Sequence, residues 1–325
     1  MKKSLIALAA MAVVTAASAQ STVVLSGSVS MGLQQTGASV AAQTTQVAGV
    51  DGVSSNSFNF TATEDLGGGM TATAVINNRL SAINTDLGTG DLYVNLSGGF
   101  GQVRAGRYTW SSNSGYNAFA SRTVTGLGGA GGALGSNNTL QYTTPGFNGL
   151  TATLVYQANA FATGTAGTGV KVNYAAGPMN LQIASSTAAQ GGITGVEAKV
   201  ESIAATYDLG VAKIFFHYYD QTAGETISNS TNANYAGNTT ALISDTGTSL
   251  SIAVPMGAAT LKAGIIDRSP GNGALPAALL DRTSIGVDYA LSKRTMLIAE
   301  FATDKHPTTG ATKRTNYFIG AAHSF

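Results

Sequence analysis

The sequence predicts an all-β fold: a 16-stranded antiparallel transmembrane β-barrel with short periplasmic turns and long extracellular loops. Three observations predict it. Apolar and polar residues alternate with a period of two along most of the chain. The connections between these alternating runs are in turn short and long. Each run offers apolar residues on one face only, and no other elements are available to cover that face. In lipid every backbone N–H and C=O must be paired within the protein, so a spanning sheet has to close on itself.

The elements follow in order. Lys2 and Lys3, the apolar stretch Leu5 to Val14 and the small-residue site Ala17-Ser18-Ala19 read as an export signal. Residues 1–19 are therefore expected to be removed, and residues 20–325 to form the barrel. In the first mature strand Val23, Leu25, Val29, Met31 and Leu33 share one face and Ser26, Ser28 and Ser30 the other. Phe58 and Phe60 then oppose Ser57 and Asn59, and Leu92, Val94 and Leu96 oppose Tyr93 and Asn95. Leu154 and Tyr156 oppose Thr153 and Gln157; Val170 and Val172 oppose Lys171 and Asn173. Late in the chain Ile285, Val287 and Tyr289 oppose Ser284 and Asp288, and the last strand ends on Phe325. Aromatic residues near strand ends (Tyr156, Tyr207, Tyr218, Tyr289, Tyr317, Phe325) suit interface girdles.

Seven short connections, among them 66–69, 98–99, 145–149 and 177–178, alternate with eight long ones, among them 36–54, 80–90, 108–137 and 221–246. Fifteen connections join sixteen strands. A secreted β-sandwich would have more even turns, and a β-helix would need a fixed short repeat that is not present.

Composition narrows the function classes. The chain has 325 residues with 41 Gly, 6 Pro and no Cys, and only 10% are charged, which favours strands and turns over helices and excludes disulfides. No apolar run of membrane-helix length follows Val14. Removal of Lys2 and Lys3 leaves 15 basic and 16 acidic residues, so no basic stripe for nucleic acid is expected. Gly126 to Gly131 matches G-x-G-x-x-G but lies in a Gly-rich loop outside any strand–helix unit. His217, His306 and His323 are scattered, without ligand spacing for a metal. No cofactor is expected, and no Ser/His or Asp/His constellation marks a barrel enzyme.

Four segments resemble the general diffusion porins of Gram-negative outer membranes, most closely the trimeric sixteen-stranded β-proteobacterial kind. They are Thr63 to Met70, Phe100 to Arg107, Gln141 to Gly149, and Ile319 to Phe325. The resemblance spans the mature chain in order. It implies an outer-membrane location, a homotrimer surrounded by lipid and lipopolysaccharide, and passive diffusion of small hydrophilic solutes. It also implies a third loop, here Tyr108 to Asn137, folded into the lumen. Tyr317, Ile319 and Phe325 then form the closing strand, with Phe325 resembling the signal read by the barrel assembly machinery. A closed barrel serving as an adhesin is the alternative.

The charge pattern departs from the family. The third loop contains no Asp or Glu, lacks the Pro-Glu-Phe-Gly signature, and carries Arg122 as its one charge. Ser57 stands where the family often has Arg, Asn77 where it has Glu, and Ala322 where it has Arg. The expected pore constriction comprises Arg79, Arg104, Arg107 and Arg122 with Tyr108, Trp110, Tyr116, Asn77 and Ser57. Alternation points Arg104 and Arg79 into the lumen. Strict alternation would send Arg107 to lipid, at a cost of about 2–4 kcal/mol near the midplane, so the strand is expected to end or bulge at Gly106. Basic residues facing no carboxylate on the loop predict weak to moderate anion preference.

Overall fold

The structure, a computed structural model, describes residues 21–36, 44–49, 56–80, 90–108, 110–111, 115–119, 133–134, 138–158, 166–189, 197–222, 245–270, 280–305 and 313–325. The proposed export signal and Arg122 lie outside the described residues. In chain order the strands are β1 (Thr22–Thr36), β2 (Thr44–Ala48), β3 (Ser57–Gly67), β4 (Met70–Arg79), β5 (Leu92–Gly98), β6 (Gly101–Arg107), β7 (Trp110–Ser111), β8 (Ala133–Leu134) and β9 (Thr139–Thr143). They continue as β10 (Leu150–Gln157), β11 (Gly167–Ala176), β12 (Met179–Ala189), β13 (Glu197–Asp208), β14 (Lys213–Thr222), β15 (Asp245–Met256), β16 (Ala259–Pro270), β17 (Leu280–Ala290), β18 (Thr295–Lys305) and β19 (Arg314–Ser324).

One sheet holds all of these except the small β7–β8 pair. Its seventeen strands occupy sixteen positions, because β3 pairs with the first half of β1 and β2 with the second half of the same edge. The connection expected over 36–54 is therefore interrupted: pairing resumes at Thr44 before the chain reaches Ser57. Asn56 supports that interruption, its Oδ1 accepting from the Ser30 backbone N–H at 2.6 Å.

The sheet closes between β1 and β19, with Ser28 opposite Ser324 through to Gln35 opposite Tyr317. Gly27 and Phe325 extend this seam by exchanging both backbone hydrogen bonds, at 3.0 and 2.9 Å. The Phe325 ring covers Gly27, where any side chain would collide with it.

Exposure alternates along the strands. Leu25, Leu33, Ile76, Leu154, Ile183, Ile285 and Ile319 point outward, and their partners in the alternation point inward. The inward face is mostly polar but has apolar islands. Phe318, Ile298 and Ala322 form one, with Met296 against it. The Phe318 ring lies over the paired glycines Gly32 and Gly320, with Cζ 2.8 and 2.7 Å from where their Cβ atoms would stand. Two glycines facing each other leave the wall thin, and an inward aromatic fills the space.

Candidate functional site

The third connection leaves β6 and turns into the barrel. Tyr108, Trp110, Tyr116 and Phe119 are all buried. Trp110 sits in β7, paired with β8, and its ring packs with Val155 of β10 and Ala184 of β12. The Tyr116 hydroxyl donates to Asn180 Oδ1 at 3.1 Å and accepts from Asn173 Nδ2 at 3.3 Å. Asn173 and Asn180 flank the Gly177-Pro178 turn, so the loop reaches toward the short-turn end of the barrel. The Ala118 N–H then donates to Ser251 Oγ of β15 at 3.1 Å. Phe119 lies over Gly264 of β16, its Cε2 being 2.9 Å from where a Cβ would stand.

These contacts trace the loop across the molecule. Between β6 and β16 lie eight steps around a sixteen-position ring, so Phe119 meets the wall opposite the strand the loop came from. Aromatic residues hold the loop because they bring large apolar area into a polar lumen at low entropic cost. The loop expected to fold inward does so over its described residues.

Arg104 of β6 projects into the lumen between two aromatic rings. Its guanidinium carbon is 4.3 Å from the Tyr93 ring centre and 5.2 Å from that of Tyr108. The two tyrosine rings meet edge to face at 5.9 Å. Burial raises the Tyr108 hydroxyl well above the ordinary phenol range, with the Arg104 charge opposing, so it stays protonated. Burial also raises Tyr116, with the Asn173 bond opposing. Lys171 of β11 completes the group, its Nζ 5.7 Å from the Trp110 ring centre. Alternation placed Lys171 on the polar face, but its pairing with Trp110 joins residues 61 positions apart and leaves no local signal.

The other predicted residues are distributed more widely. Arg79 stands at the top of β4, half exposed, 3.4 Å from Asp91. Asn77 donates to Asn59, and Ser57 is buried at the start of β3. Arg107 corrects an expectation. β6 neither ends nor bulges at Gly106: Leu92 pairs with Arg107 and Tyr93 with Gly106 without a register shift. Gly106 instead adopts φ 145°, a conformation that L side chains rarely adopt, with the Leu92 carbonyl occupying the place where a Cβ would stand. Arg107 Nε then donates to the Gly90 carbonyl at 2.9 Å.

The opposite wall carries carboxylates, and each is bound. Lys262 of β16 lies 2.7 Å from Asp288 and 2.6 Å from Glu300. Arg282 of β17 grips Asp304 through Nε–Oδ1 at 2.6 Å and an NH2–Oδ2 bond at 2.9 Å, and Asn316 adds 2.7 Å to the same Oδ2. Buried ion pairs of this kind hold their charges in place rather than present them. By contrast, Arg104 and Lys171 have no carboxylate within ion-pair distance among the described residues.

A closed antiparallel barrel with an apolar outer face, a polar inner face and a loop folded across its interior defines a transmembrane β-barrel channel. Residues 5–309 match the sequence profile of the Gram-negative porins, and the chain belongs to that family. It is an outer-membrane diffusion channel. It is 31% identical over 239 residues to outer membrane porin protein 32 of Delftia acidovorans, covering 66% of this chain and 68% of that one. An anion-selective porin from Comamonas acidovorans shares the fold with a TM-score of 0.76 at 21% identity, over 94% of this chain and 100% of that one. OmpT of Vibrio cholerae, in its trimer form, shares it with a TM-score of 0.68 at 14% identity, over 94% and 99%.

Proposed function

We propose that this porin passes small hydrophilic solutes passively and prefers anions. One observation carries the reading: among the described residues Arg104 and Lys171 stand in the lumen without carboxylate partners, whereas Asp288, Glu300 and Asp304 are each bound to Lys262 or Arg282. A loop free of Asp and Glu between Tyr108 and Asn137 adds no negative field. The anion selectivity of the Comamonas porin supports the preference, and the Delftia outer membrane porin supports the channel.

The constriction is formed by Arg104, Lys171, Tyr108, Trp110 and Tyr116, with Asn77 and Ser57 on the nearby strands β4 and β3. Arg79 acts at the rim, where Asp91 offsets it. Arg107 contributes its charge from the Gly90 carbonyl, and Arg122 belongs to the same loop. The protein works as a homotrimer, as the trimer form of the Vibrio porin suggests. Lipid and lipopolysaccharide cover its outer face. Residues 1–19 are the export signal, and Phe325 with Tyr317 and Ile319 is presented to the assembly machinery. Reversal potentials across a planar bilayer under a KCl gradient test the reading. Anion preference is expected, and cation preference overturns it.

A further inference from the structure

We infer that Arg104, Lys171, Tyr108 and Trp110 form a saturable binding site for small doubly charged oxyanions of the phosphate and sulfate class, on the side of the lumen where the third loop packs. The inference rests on the anion-preferring reading above and adds binding to it.

The four residues share one property. Arg104 Nε, Tyr108 Oη and Trp110 Nε1 are buried and have no hydrogen-bond partner among the described residues. Each is a donor, and Lys171 supplies three more donor positions. Leaving a buried donor unpaired costs about 1–3 kcal/mol, and these three lie along one run of contacts, Arg104 on Tyr108 and Lys171 on Trp110, so that run calls for an acceptor. Among the described residues neither Arg104 nor Lys171 has a carboxylate within ion-pair distance. Two unneutralised cations and a ring of donors match an anion with two charges and several acceptor oxygens.

The aromatic rings account for specificity. Tyr93 and Tyr108 hold the Arg104 guanidinium on their faces, and Trp110 holds Lys171. Ring faces are thus occupied by cations, which leaves the Tyr108 hydroxyl and the Trp110 indole N–H to an anion. Asn95 lies across the strand pair from Arg104, and its Oδ1 is unpartnered as well. That amide can turn over to present its NH2 group. Chloride, a single charge without several acceptor oxygens, satisfies fewer of these groups than sulfate does.

The test uses the full-length protein in planar bilayers. Chloride conductance is measured as sulfate or hydrogen phosphate is added at constant ionic strength. A saturating block is expected from both, with nitrate far weaker. Trp110→Phe and Tyr108→Phe each remove one donor and keep the ring, and Lys171→Gln removes one charge. Each is expected to raise the half-blocking concentration by about tenfold, the loss of one hydrogen bond to a charged group. If Lys171→Gln yields no channels, the two Phe variants carry the test. An anion-selective pore whose conductance changes linearly with sulfate overturns the site and leaves the anion preference standing. Half-blocking concentrations in both Phe variants equal to the wild-type value also overturn it. Cation selectivity in KCl alone overturns both.

Discussion

The Arg104 guanidinium stacks on the Tyr93 ring, 4.3 Å from its centre, and projects from a strand that pairs with the strand carrying that ring. Stacking fixes the direction of a long side chain that would otherwise sample many rotamers, and leaves its charge in the lumen. Arg104→Ala should therefore move the KCl reversal potential toward zero, and Arg104→Ala with Lys171→Gln should move it further. Tyr93→Leu keeps the charge and releases the side chain. It should broaden the distribution of single-channel conductance with a smaller change in selectivity.

Phe119 over Gly264 pins the loop to the wall opposite its origin. Phe119→Ala removes the ring from the notch, and Gly264→Val fills the notch from the other side. Both should raise single-channel conductance and open-channel noise. Unchanged conductance in both variants would mean that the Ala118 to Ser251 bond and the Tyr116 contacts suffice to hold the loop.

Asp304 neutralises Arg282 within the wall. Asp304→Ala removes the carboxylate that grips the buried Arg282 guanidinium and should cost about 3–5 kcal/mol, read as a lower temperature of conversion from the folded to the unfolded band on gels. Arg282→Met combined with Asp304→Leu removes both charges and should recover most of that loss. A single variant as stable as wild type would show that Asn316 and solvent absorb the charge.

Gly106→Ala tests the backbone between Arg104 and Arg107. At φ 145° a methyl group is strained, and it would also meet the Leu92 carbonyl. A stability loss of about 1–3 kcal/mol is expected, with a shift in the Arg107 contact to Gly90. Equal heat stability would mean that the β5–β6 pair tolerates an ordinary strand conformation there.

Much of the barrel was legible from alternation. Val29, Met31 and Leu33 on one side and Ser30 on the other define a face, and a one-residue slip would reverse it. The turns were legible because glycine supplies positive φ at Gly67, Gly177, Gly210 and Gly257. The break between β2 and β3 was not, since Thr44–Ala48 looks like any polar loop until Gly32 to Thr36 pair with it. Arg104 was assigned inward from Gln102 and Val103 alone. Lys171 with Trp110, and Phe119 with Gly264, depend on how the chain crosses empty space, which has no sequence period. Ile298 and Phe318, inward apolar residues that alternation leaves unexplained, are explained only once Gly32 and Gly320 face each other.

The seam where Gly27 meets Phe325 has a consequence in time. β1 opens the strand order and β19 closes it, so the ring stays open until β19 has been made. For that whole interval two unpaired edges face whatever surrounds them, and open edges recruit foreign strands. Closure between strands so far apart in sequence is also slow, because a long loop must be closed before the pairing is gained. The pairing of β19 with β1 is thus the moment at which the molecule stops being a hazard to its neighbours and becomes a container with an inside.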